Sequence, residues 1–95
     1  MEPHEEIQRR EVYYSGRVQG VGFRYTVRSI ASRFAVTGYV KNLPDGRVEL
    51  VVEGRAEEIL AMLHAIRAEM GHYVRDVRET PSRATKGFSS FDVRF

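Results

Sequence analysis

The sequence has no cysteine, which removes disulfides, thiolate metal sites and a thiol nucleophile together, and fits a reducing compartment such as the cytoplasm. No apolar run approaches the roughly 18 residues of a membrane span. Residues 1–10 pass from acidic to basic without an apolar stretch, so no secretion signal is expected. The three histidines, His4, His64 and His72, are scattered and form no pair at ligand spacing, so no metal site is expected. A formal net charge of +2 is too small to imply nucleic acid by itself. No repeat, low-complexity tract or linker interrupts the chain.

What is there is one domain. Ninety-five residues, 42% hydrophobic and 29% charged, are ordinary globular values. The informative stretch is Ser15-Gly16-Arg17-Val18-Gln19-Gly20-Val21-Gly22-Phe23-Arg24, between an apolar run ending at Tyr14 and a segment with helical spacing. Its glycines allow a tight turn and positive φ. A loop of this kind, ending at a helix N-terminus, gathers unpaired N–H groups and the positive end of the helix dipole. That suits an anion, and Arg24 adds a donor fork matched to phosphate oxygens. No Lys-Ser or Lys-Thr pair follows the last glycine, so this is not the nucleotide-binding P-loop. A cysteine phosphatase loop would need a thiolate where Val18 stands. Neither Ser15 nor Thr26 has a base beside it, which leaves water as the attacking group.

In chain order, residues 1–9 read as a frayed tail and 10–95 as the domain. Glu11 to Ser15 reads as the first strand. Phe23, Val27, Ile30, Ala31 and Phe34 give an amphipathic helix. Thr37 to Asn42 forms a second strand, and Leu43-Pro44-Asp45-Gly46 a turn. Arg47 to Glu53 alternates as a third strand with one buried face. A second helix begins near Glu57 and Glu58, carries the stripe Ile59, Leu63, Ile66 and Met70, and stops at Gly71. Tyr73 to Thr80 forms a fourth strand, its alternation broken between Val74 and Val77 as by a bulge. Pro81 to Gly87 is read as a polar loop, and Phe91, Val93 and Phe95 as a last short strand.

The order βαββαβ predicts an α+β, ferredoxin-like sandwich with an antiparallel sheet and two helices on one face. Right-handed crossovers place the third strand between the first and second. Those two then run parallel and end at one edge, which sets Asn42 about 10 Å from the glycine loop at the backbone.

These residues carry a resemblance. Gly16 to Arg24, followed by Gly38-Tyr39-Val40-Lys41-Asn42-Leu43-Pro44-Asp45-Gly46, is similar to the paired signature of the acylphosphatases, and the likeness runs from about Val12 to Phe95. It implies metal- and cofactor-free hydrolysis of the carboxyl–phosphate bond of small-molecule acyl phosphates, with inorganic phosphate as product. It also implies that the phosphoryl group is held by Arg24 and the loop amides of Gln19, Gly20, Val21, Gly22 and Phe23, and that Asn42 orients the water. A cytoplasmic monomer without a membrane or nucleic-acid partner is the expectation. The family often has a glycine after its first helix, where this chain reads Phe34-Ala35-Val36, so a left-handed helix cap is not expected here.

Two other readings differ in sequence context. An RRM-type RNA-binding domain shares the element order, but its aromatic motif lies on the third strand, and Val48 to Glu53 has no aromatic residue. Acylphosphatase-like modules also occur within larger maturation enzymes; a chain ending at Phe95 is expected to be a stand-alone hydrolase.

Overall fold

The computed structural model describes residues 6–95. Five strands and two helices follow in the order β1 (Ile7–Gly16), α1 (Phe23–Ala31), β2 (Val36–Asn42), β3 (Val48–Arg55), α2 (Ala56–Met70), β4 (Val74–Ser82) and β5 (Phe91–Arg94), with a short 3-10 turn at Gly71–Tyr73 before β4. The strands form one sheet in the order β4-β1-β3-β2-β5. Both β1 and β2 pair antiparallel with β3, so they run parallel to each other and end at one edge, as the topology argument required. β5 joins parallel to β2, and its register places Arg94 beside Lys41. No helix among the described residues is long and apolar enough to cross a membrane.

Alternation builds the core. Val12, Tyr14, Val40, Leu50 and Val52 turn one sheet face toward Phe23, Val27 and Ile30 of α1 and Ile59 and Ile66 of α2. On α2 the buried stripe is Ile59, Met62, Ile66 and Met70, so Met62 takes the core position expected of Leu63, which is only partly buried. The second helix stops at Met70 as its pattern predicted, yet Gly71 stays right-handed and leads into the 3-10 turn.

Three boundaries differ from the sequence reading. Residues 7–9, expected in the tail, extend β1, because β3 is long enough to pair Ile7 with Arg55 and Arg9 with Glu53. The first helix ends at Ala31 rather than Phe34. Tight turns from Arg33 N to Ile30 O and Phe34 N to Ala31 O, both 3.0 Å, close it without a left-handed residue. Pro81 and Ser82, expected in a loop, continue β4. This strand is at the sheet edge, where a proline is tolerated. The expected bulge is present: Ser15 pairs with Asp76 and Gly16 with Val74, leaving Arg75 extra.

The last difference concerns the sheet face away from the helices. The alternation of β3 predicts a single buried face, but on its other face Val51 and Glu53 are 1% and 2% exposed. The segment between β4 and β5 folds across it. Thr85 N and Lys86 N each donate to Glu53 at 2.8 Å, Thr85 Oγ1 at 3.0 Å and Arg9 at 3.3 Å. Phe88 lies edge-on to Tyr39 with 5.9 Å between ring centres. Burial alone would push the Glu53 carboxyl up. The Thr85 and Lys86 amides, the Thr85 hydroxyl and Arg9 outweigh it and hold the group below its ordinary range.

Candidate active site

The loop from β1 to α1 is fixed at three points. Arg17 N donates to Tyr73 O at 2.9 Å. Val18 is buried in the core. Gln19 Nε2 donates to Leu43 O and Arg47 O, both at 2.9 Å, which ties the loop to the β2–β3 turn. Between these anchors and the helix, Gly20 and Gly22 sit at φ of 78° and 77°. A Cβ at either would meet no atom within 4 Å, so the glycines serve the backbone conformation and leave the space before them open. The helix ladder starts with Thr26 N donating to Gly22 O at 3.0 Å, so the amides of Phe23, Arg24 and Tyr25 precede it at the positive end of the dipole.

Asn42 closes β2 opposite Val48. The turn beyond it is braced by Leu43 N to Arg47 O at 2.8 Å and Gly46 N to Leu43 O at 3.1 Å. Asp45 accepts from the Arg47 amide at 3.1 Å and from its Nε at 2.8 Å. The Arg47 amide, more than its guanidinium, holds the Asp45 carboxyl below the usual carboxylate range. Asp45 is therefore a turn residue, as its sequence context suggested. Asn42 Oδ1, by contrast, is buried and accepts no hydrogen bond from the described residues.

Arg24 projects from the first turn of α1 toward β5. Its Nη1 donates to Arg94 O at 3.0 Å, and its guanidinium lies 4.7 Å from the centre of the Phe95 ring and 5.9 Å from that of Tyr25. No carboxylate among the described residues pairs with it, so its charge stays available.

These parts meet in a pocket of about 100 Å³ lined by Val18, Gly20, Gly22, Phe23, Arg24, Tyr25 and Asn42. Gly20, Gly22, Phe23, Arg24 and Asn42 were all singled out from the sequence. Phe23 offers only its backbone there, since its ring is packed in the core 5.1 Å from Tyr14. Gln19 and Val21 are not among the lining residues: Gln19 reaches the turn, and Val21 packs against the core. The sequence reading missed Val18 and Tyr25 on the wall, and Arg94 and Phe95 behind Arg24. The pairing of the last strand with β2 would have found the latter two, since it carries residues 94 and 95 to the end of the sheet where Asn42 lies. His64 borders a groove between α2 and β4, and His72 stacks on Tyr73; neither lines this pocket, and His4 is outside the described residues.

A ferredoxin-like α+β sandwich with a pocket lined by loop glycines, Arg24 and Asn42 where two parallel strands end defines the class. The sequence matches the Acylphosphatase family over residues 10–93. It is 50% identical over 66 residues to an acylphosphatase of Trichormus variabilis, a match covering 66% of this chain and 65% of that one, just under two thirds. It is 43% identical over 97 aligned residues to one of Rubrobacter xylanophilus, covering 99% and 86% of the two chains. The fold superposes on the crystal structure of acylphosphatase from Bacillus subtilis with a TM-score of 0.84 at 36% identity, covering 95% of this chain and 100% of that one. The chain belongs to the acylphosphatase family of hydrolases.

Proposed function

We propose that the chain hydrolyses acyl phosphates at phosphorus. The phosphoryl oxygens sit against the amides of the 19–24 loop and the Arg24 guanidinium, while Asn42 Oδ1 accepts a hydrogen bond from a water opposite the leaving carboxylate. The water oxygen bonds to phosphorus as the bond from phosphorus to the acyl oxygen breaks. The carboxylate departs with that electron pair, and the water proton passes to a phosphate oxygen. Charge spreads over the equatorial oxygens in such a transfer, so fixed donors and alignment supply the catalysis. A carboxylate leaves readily, so no side-chain acid is needed. Neither motif holds a carboxylate or histidine aimed at the pocket, and the reading needs no metal or cofactor. It takes the enzyme as a cytoplasmic monomer working on a diffusible substrate.

One observation carries this reading: the buried, unpartnered Asn42 Oδ1 shares a pocket wall with Gly20, Gly22 and Arg24. A buried acceptor without a donor is costly in a folded protein, and a bound water relieves it. The test is hydrolysis of benzoyl phosphate in ¹⁸O-labelled water, with and without chelator. Label in the phosphate, at a rate unaffected by chelation, is expected. Label in the benzoate, or hydrolysis no faster than without enzyme, would overturn the reading.

A further inference from the structure

The pocket is smaller than the acyl phosphates it is proposed to cleave. Its volume of about 100 Å³ is below the roughly 150 Å³ that hosts a single benzene ring. On the hydrolytic reading the phosphoryl group and the water take this volume, which leaves the acyl group at the mouth. The mouth carries aromatic rings beside Arg24. Tyr25 lines the pocket yet is 53% exposed, and Phe95, its ring over the Arg24 guanidinium, is 85% exposed. They are two of the five large hydrophobic residues exposed among the described residues, and both flank Arg24. Tyr25 stands on the first turn of α1, off the stripe of Phe23, Val27 and Ile30 that serves the core, so its ring is free at the pocket.

We infer that Tyr25 is the acyl-side platform of the site, and that it selects acyl phosphates with flat apolar acyl groups over short ones. This rests on the hydrolytic reading given above. With the phosphoryl group against Arg24, the carbonyl carbon lies at the lip and its substituent falls on the neighbouring ring. An aryl or long alkyl substituent covers that ring, and a methyl group covers little of it. Phe95 lies over the Arg24 guanidinium and does not line the pocket, so Tyr25 is the position to test.

The experiment compares kcat/KM for benzoyl phosphate and acetyl phosphate in the wild type, Tyr25→Ser and Tyr25→Phe, with inorganic phosphate as competitive inhibitor. An aromatic contact of ordinary strength predicts that Tyr25→Ser lowers the benzoyl-to-acetyl ratio about three- to tenfold. Tyr25→Phe, which keeps the ring and loses only the hydroxyl, should restore the ratio. An unchanged ratio in Tyr25→Ser overturns the inference while leaving the hydrolytic reading intact. Phosphate inhibition weakened as much as benzoyl phosphate turnover also overturns it, because Tyr25 would then act by placing Arg24. A wild type that cleaves neither substrate overturns both.

Discussion

Two buried polar groups sit on the same sheet and are treated in opposite ways. Glu53, on the face away from the helices, receives four hydrogen bonds from Arg9, Thr85 and Lys86. Asn42, at the end of the neighbouring strand, keeps a buried oxygen that none of the described residues satisfies. A satisfied buried carboxylate fixes a segment of chain; an unsatisfied amide waits for a molecule from outside. On the proposed reading, the difference separates a stabilising role from a catalytic one within one strand pair.

The largest effect should come from Arg24, the charge that shares the pocket with Asn42. Arg24→Ala is expected to lower kcat by about a thousandfold or more, the range for loss of a phosphoryl-binding arginine. It should also weaken competitive inhibition by phosphate, since the charge acts on bound and reacting phosphoryl groups alike. Arg24→Lys should recover only part, because an ammonium cannot both hold the Arg94 carbonyl and present a planar fork. Turnover at the wild-type rate in folded Arg24→Ala would move the site elsewhere.

Asn42 should come next, and here the comparison sharpens. Asn carries no charge and no useful pKa, so on the proposed reading its part is to place the water rather than to hold the phosphate. Misalignment by about 1 Å costs on the order of 100-fold in rate. Asn42→Ala is expected to lose about that in kcat while inhibition by phosphate changes little. If Asn42 were only a strand terminus, urea unfolding would shift and the rate per folded molecule would not.

Glu53 predicts the reverse pattern. Glu53→Ala strands the Thr85 and Lys86 amides and leaves Arg9 with Glu11 as its remaining carboxylate at 3.3 Å, and should cost about 3 kcal/mol of stability. The rate per folded molecule should stay within a few-fold. Its pH dependence has a definite sign. The folded carboxyl titrates below its ordinary value, so its stabilisation is complete above the usual carboxylate range near pH 4–5 and is lost as pH falls through the folded value. The urea midpoint of the wild type should therefore decline on acidification below about pH 5. Glu53→Gln should start lower at pH 7, and its deficit should shrink as the pH falls. A constant deficit across that window would remove Glu53 as the clasp.

Most of the architecture was legible because it rests on local periodicity: the alternation of Val48, Leu50 and Val52, the helical spacing of Phe23, Val27 and Ile30, and the glycines of the loop. Crossover handedness then brought Asn42 to the loop without any side-chain information. What stayed hidden depends on contacts between distant residues. The burial of Glu53 comes from a segment thirty residues later, which no strand pattern records. The extension of β1 to Ile7 needed the length of its partner, and the shift from Leu63 to Met62 needed the angle at which α2 meets the sheet. The motif places the amide of Gln19 in the phosphate loop but does not record that its side chain reaches across to the turn.

That last point leads to the smallest effect. Gln19 Nε2 bridges the loop that holds Arg24 to the turn that follows Asn42, through the carbonyls of Leu43 and Arg47. Both carbonyls already accept backbone hydrogen bonds, from Gly46 N and Leu43 N respectively, so removing the amide strands neither. Gln19→Ala should thus destabilise the fold by only about 1 kcal/mol. Its functional cost should be of similar size, about fivefold in kcat, because it slackens the alignment of two catalytic halves without touching either ligand. Alignment gives a coupling that simple destabilisation does not. If Gln19 acts by holding the turn that carries Asn42, its effect on kcat should nearly vanish in an Asn42→Ala background, since the water is already unplaced there. If it instead shapes the loop amides around the phosphoryl group, the two losses should multiply, and Gln19→Ala alone should weaken inhibition by phosphate. The single and double variants, assayed for kcat and phosphate inhibition, distinguish a brace between the halves from a member of one of them.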